Sequence, residues 1–418
     1  MHTAFPSRGN PTDEDTMTSK IDWSTEYDVF HPDYIADPFT IWDELREKCP
    51  IAHTDVLGGS WLPTTYEHVT TIARDIEHFS SKSITVVPPL DPDAEPITIA
   101  APIAVDPPLH TYSRRTILPS FSPRAVDQLE IFTRAWCREL MDRIAGRDTA
   151  DAAVEYAQQI PAQVIATMLG VPTNMKDKFT GWVRAILENA AYDVEGREQA
   201  GTELREFFTS TVADRRANGL GDDMISELLR AKDPDGNPYP DKLVLGMCGL
   251  LLVAGVDTTW SGIGSSLWHL ATHPEDRERL IREPELIDSA VEEFLRFYSP
   301  VTMARVLHED YEYAGCPMHK GDRVLMNFPG ANRDPKQFED ADKFIIDREH
   351  NRHVAFGAGI HRCAGSNLAR MEMRVAIQEF LARVPDFELE EGKVTTWAGG
   401  QVRGPRNIPI KINKSHPK

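Results

Sequence analysis

The longest apolar run in the chain, Leu243 to Val256, spans 14 residues and carries no charged side chain. It sits inside a longer helix-like segment, 241–272. A run of that length falls short of the roughly 20 residues needed to cross a bilayer. It therefore demands burial against other protein, and a helix buried all round needs further helices to cover it. A chain of 418 residues has the size to do this. Other segments with helical character lie at about 125–146, 155–169, 174–191, 198–217, 275–298 and 365–384, with stop signals such as Gly170 and Pro300. Strand-like runs are short: Ser60–Pro63, Arg305–Leu307, Tyr311–Tyr313, Arg323–Leu325 and Ile408–Ile412. Pro409 suggests an edge position for the last of these. The expectation is a mainly α protein with a minor sheet portion. Residues 1–20 form a polar tail that reads as disordered, and residues 21–418 read as one domain.

Charge and cysteine usage exclude several function classes. Lys plus Arg number 45 and Asp plus Glu 65, for a net charge of −20. Such a surface repels nucleic acid and anionic membranes, both of which need basic side chains on the protein. The five cysteines (Cys49, Cys137, Cys248, Cys316, Cys363) are scattered and include no CxxC pair, which argues against a disulfide framework and a structural zinc site. The start, MHTAFPSRGN, lacks the basic and apolar regions of a signal peptide. A cytoplasmic protein without a membrane anchor is the expectation.

Cys363 lies in FGAGIHRCAGSNLAR, residues 356–370, where Gly357 and Gly359 permit turns closed to other residues and a helix follows. The helix dipole, nearby backbone N–H groups and the charge of Arg362 each favour a thiolate at Cys363. By residues alone this cysteine also fits a small buried side chain, or a hydrolytic nucleophile poorly served by His361. Within the apolar run, Asp257 and Thr258 follow Ala254. The Thr258 hydroxyl can bond the Ala254 carbonyl, four residues back, and open the helix locally. Together the two can relay protons, although a capped acid and a satisfied threonine fit equally. Glu293 and Arg296 share a helix face, as an ordinary surface ion pair does. Asp106 and Pro107 suit a helix start, and His110 and Arg114 then share a face suited to the carboxylates of one ligand, or to plain solvation.

Taken together, Phe356–Gly365 resembles the haem-binding loop of the bacterial cytochrome P-450 superfamily, FxxGxxxCxG, and the other motifs follow in that family's order. The resemblance implies the P-450 fold, a helix-rich triangular domain with a small β-sheet subdomain. It implies haem b as cofactor, with Cys363 as the axial thiolate ligand and Phe356 shielding it. His110, Arg114, Arg305 and His361 would meet the haem propionates, with Ala254 and Gly365 among the cofactor contacts. Asp257 and Thr258 would be catalytic in oxygen activation, and Glu293, Arg296 and Arg348 a structural network. The implied activity is insertion of one atom of O2 into a hydrophobic small molecule (terpenoid, steroid, fatty or aromatic), by hydroxylation or O-dealkylation. Pocket walls would come from Ser83–Ala104, Phe179–Asn189, Met247–Thr258, Val301–Ala304 and Trp397–Val402. The chain has no GxGxxG motif and no ferredoxin cysteine spacing, so electrons are expected from a separate ferredoxin and its reductase. The docking cations would be Arg115, Arg124, Arg362 or Arg370. Two other readings stand beside this one: a peroxide-driven haem-thiolate enzyme, which has no use for Asp257–Thr258, and a haem-binding sensor or carrier without turnover.

Overall fold

The computed structural model describes residues 21–88, 95–188 and 191–413; the N-terminal segment 1–20 lies outside it. One helix, Asp241–Thr272, organises the rest, with 32 residues running from Pro240 to a stop at His273–Pro274. It is longer than the apolar run because Thr, Ser, Trp and Gly after Val256 continue it. By length and composition alone it could cross a membrane, so the length argument fails. Burial settles its role instead, since most of its apolar window is covered by the protein itself. Helices Gln159–Leu169, Lys176–Leu187, Val194–Asn218 and Ser366–Arg383 pack on it. At Gly246 the segment Ile99–Ala101 comes so close that any Cβ would collide with the Ile99 backbone. There the Ile99 N–H donates to the Lys242 carbonyl at 2.9 Å.

Several boundaries follow local chemistry. Gln159–Leu169 ends on Gly170 at φ +69°, the left-handed cap that glycine favours, and a π-helical turn, Ala153–Ala157, precedes it. Val194–Asn218 starts a turn earlier than expected, because the Asp193 carboxylate accepts from the Gly196 N–H at 2.8 Å. The expected helix 275–298 is instead two, Pro274–Arg282 and Ile287–Phe297, joined by a 3-10 turn at Pro284–Leu286. Pro284 supplies no N–H and forces Glu283 out of helical geometry, to φ −124° and ψ 66°.

A five-stranded sheet runs in the order Ile51–Thr54, Ser60–Pro63, Arg323–Met326, Met303–Leu307, Phe79–Ser80. Its only parallel pair is the second, with Trp61 opposite Val324. Tyr311–Tyr313 pairs with Cys316–Met318 in a separate hairpin. The strand Pro409–Ile412 is central rather than at an edge, flanked by Thr149–Asp151 and Phe387–Leu389. Proline is tolerated because it opens the strand and its carbonyl still accepts, from the Glu390 N–H at 2.9 Å.

Candidate active site

The loop before helix Ser366–Arg383 is shaped by two left-handed glycines, Gly357 and Gly359, both at φ +71°. At Gly359 a Cβ would also sit 2.6 Å from the Ala73 carbonyl oxygen, so conformation and space both require glycine. The Cys363 N–H closes the loop on the Phe356 carbonyl at 2.8 Å. Arg114 reaches across to donate to the Arg362 carbonyl. The Cys363 sulfur lies deep among protein atoms while the residue stays open on one side. Burial raises the thiol pKa, against the Gly365 N–H and the charges of Arg114, Arg362 and Arg370. The expected thiolate-favouring groups are therefore present, but desolvation outweighs them, and a bound cation is what would draw out the anion.

Beside the loop, basic side chains gather. The rings of His110 and His361 lie 4.3 Å apart. Arg305, on strand Met303–Leu307, is buried, and burial lowers its pKa to about 10. His361 is pushed down to about 3, by burial first and then by the nearby charges of Arg305 and His110. The Nε2 atoms of both histidines are buried and find no hydrogen-bond partner among the described residues. Asp106 does not cap helix Leu109–Ile117; Pro108 holds that position. Its carboxylate turns away to accept from Ser80 Oγ at 2.6 Å and the Ser81 N–H at 2.9 Å. Buried donors in such excess are costly without an anion, and two carboxylates on one ligand suit them.

On the central helix the Thr258 hydroxyl donates to the Ala254 carbonyl at 2.9 Å, as the spacing implies. The helix nevertheless runs unbroken through this point. Ala254 is exposed and Thr258 half-buried, while Val256, Asp257, Thr259 and Trp260 are buried, so one short face opens between covered ones. Asp257 is fully buried, and its pKa rises to about 6 because desolvation outweighs the attraction of Arg406, whose Nη2 lies 2.9 Å from its carboxylate. Neither Arg406 nor its second partner, Glu188, is visible in the pattern around Asp257, since both come from distant parts of the chain.

The cytochrome P450 family model matches residues 162–396. This chain belongs to the cytochrome P450 family. The mycinamicin IV hydroxylase/epoxidase of Micromonospora griseorubida is 33% identical over 378 residues, covering 88% of this chain and 94% of that one. The vitamin D(3) 25-hydroxylase of Pseudonocardia autotrophica is 33% identical over 394 residues, covering 93% and 96%. Among solved structures, CYP109E1 from Bacillus megaterium in complex with testosterone superimposes with a TM-score of 0.82 at 30% identity, covering 91% of this chain and 99% of that one. The P450 is thus a monooxygenase whose cofactor is haem b, its iron bound through a cysteine thiolate.

In this P450 the Glu293–Arg296 pair is not on the surface. Both side chains are completely buried, joined by bonds of 2.8 and 2.7 Å. Arg348 Nε meets the same carboxylate at 3.1 and 3.2 Å, and the Ile345 N–H and Asn351 amide complete its shell. Arg296 spends its remaining donors on the Asn332, Ala341 and Lys343 carbonyls. Three of the expected pocket walls meet: Val301 bridges Val402, and the Ala304 N–H donates to the Ile84 carbonyl at 2.8 Å. Residues 89–94 and Asn189 of those ranges lie outside the described residues. Arg115, Arg124 and Arg362 are exposed. Arg370 drops out as a free docking cation, because Glu292 holds its guanidinium at 2.5 and 2.8 Å and it covers the Phe356 ring at 4.6 Å.

Proposed function

We propose that Cys363 is the iron ligand of a monooxygenase that inserts one atom of O2 into a hydrophobic small molecule, by hydroxylation or O-dealkylation. The observation that carries this reading is the Cys363 sulfur lying beside a buried basic cluster whose histidine Nε2 atoms have no hydrogen-bond partner among the described residues. That cluster fits a ligand with two carboxylates: His110, Arg114, Arg305 and His361 would hold the haem propionates. Phe356 and Gly365 would border the sulfur, and Ala254 would face the opposite side. When bound, the haem supplies the electron-accepting, oxygen-activating chemistry. The chain's own share is positioning and proton handling. Thr258 keeps a hydroxyl at the open face of the helix, and Asp257, its pKa raised to about 6, holds or releases a proton one residue away. Relatives named for mycinamicin IV and vitamin D(3), and a similar structure holding testosterone, support a hydrophobic small-molecule substrate. The deciding measurement is the absorption spectrum of the reduced, carbon-monoxide-bound protein. A strongly red-shifted Soret band is expected; a band at the position typical of histidine-ligated haem would overturn the reading.

Electrons come, on this reading, from a ferredoxin and its reductase in the cytoplasm. Arg362 lies in the cysteine loop, Arg115 follows Arg114, which bonds that loop, and Arg124 follows the Phe121 turn held by Asn367; all three are exposed and support docking of an acidic partner there. Reversing the charge at all three is expected to slow electron transfer at least about tenfold at low salt and to flatten its ionic-strength dependence. Unchanged rates and salt slope would place the docking face elsewhere.

A further inference from the structure

Arg406 stands between two carboxylates from different parts of the fold. Its Nη2 lies 2.9 Å from Asp257 on the central helix, and its Nε lies 2.5 Å from Glu188, the residue that ends helix Lys176–Leu187. Nη1 donates to Ser261 at 3.1 Å, and the guanidinium covers the Trp260 ring at 4.3 Å. All three members of the triad are more than nine-tenths buried. The contacts to both carboxylates are close, yet neither has the alignment of a good hydrogen bond. The attraction is therefore one of charge, and both acids draw on the same guanidinium.

We propose that Glu188 is a positioning residue for Asp257: by sharing Arg406 it sets how much of that charge reaches the Asp257 carboxylate, and so couples the end of helix Lys176–Leu187 to the proton held on the central helix. The inference rests on the reading of Asp257 as a proton carrier and adds the group that tunes it. Two acids share one buried cation, and excess negative charge in such a site is costly. A proton on one acid removes the excess. Glu188 has a second cation, Arg184, at 3.2 Å and half-exposed, whereas Asp257 is the more buried and depends on Arg406. Asp257 is thus the acid that takes the proton. The charged groups facing it are Arg406, Glu188 and, more remotely, Arg184. As pH falls through the Asp257 transition, Arg406 is released to Glu188 and the helix end is held more tightly; as pH rises, the cation is shared and the helix end loosens. The coupling is reciprocal by linkage.

The test uses the full-length, haem-loaded protein. The Asp257 carboxyl stretch, assigned by its loss in Asp257→Asn, is titrated by infrared difference spectroscopy. Because the Glu188 charge raises the Asp257 pKa, Glu188→Gln is expected to lower the transition by about one pH unit, and Glu188→Asp to restore most of it. Amide hydrogen exchange over residues 185–188 is expected to speed up in Glu188→Gln and slow down in Asp257→Asn, where Arg406 has a single acid left. An unmoved Asp257 titration in Glu188→Gln, or faster exchange in both variants, would overturn the proposal. An intact carbon-monoxide band in these variants separates that outcome from a failure of the haem-ligand reading.

Discussion

Cys363→Ser is expected to remove the red-shifted carbon-monoxide band and to cut turnover by about a thousandfold or more, equivalent to about 4 kcal/mol of activation free energy. Serine preserves shape but replaces a soft, polarisable donor with a hard hydroxyl, whose proton is lost far less readily than that of a thiol. Electron release from sulfur, which favours O–O cleavage, goes with it. No other cysteine is placed to substitute. Cys137 and Cys248 are buried in the helical core, where desolvation drives both thiols to about 12. Cys49 and Cys316 belong to the N-terminal and sheet-side clusters, away from the basic group. The His110–His361–Arg305 cluster is untouched by the substitution, so porphyrin is expected to remain partly bound. That separates loss of ligation from loss of the site. Retention of the band in Cys363→Ser would mean another ligand and would undo the assignment.

What could be read in advance divides by the range of the interaction. The Thr258–Ala254 bond and the Glu293–Arg296 pair are three- and four-residue relations within one helix, and helical geometry alone brings such groups together. Whether a pair is buried is a different matter. The family resemblance adds Arg348 to the pair, but nothing in the three-residue spacing reveals that this carboxylate is wholly buried and also gathers Asn351 and the Ile345 N–H. Asp106 and Pro409 differ from the local expectation for one shared reason. Each is decided by partners far along the chain: Ser80 and Ser81 for the carboxylate, and the strands on either side for the proline. The break at Glu283–Pro284, by contrast, was local and available in the residues themselves. The Glu188–Arg406–Asp257 triad leaves no periodic trace at all, because three separate elements must pack before the charges meet.

Glu293→Gln is expected to destabilise the fold by about 3–5 kcal/mol, the range for removing one member of a buried ion pair. The wild-type carboxylate accepts from two guanidinium groups, a backbone N–H and an amide, all away from water. Glutamine keeps the volume but offers a single acceptor oxygen and directs an NH2 group at Arg296 or Arg348, leaving donor facing donor. Arg296 cannot escape to solvent, since it has no exposed surface and its other donors tie Asn332, Ala341 and Lys343 together. The cost therefore falls on the junction of helix Ile287–Phe297 with the segment leading to the cysteine loop, where Asn332 also accepts from the Val354 N–H at 2.7 Å. Denaturant unfolding of the haem-free protein should show the loss directly, and haem retention should weaken in parallel because the loop's support is shared. Arg348→Lys tests the same network more gently: it keeps a positive charge beside Glu293 but gives up the bonds to the Glu339, Asp340 and Lys343 carbonyls, and a smaller loss of about 1–2 kcal/mol is expected. If Glu293→Gln unfolded at the wild-type denaturant concentration, the buried triad would not be what holds this part of the molecule, and the account of the support behind Cys363 would fail.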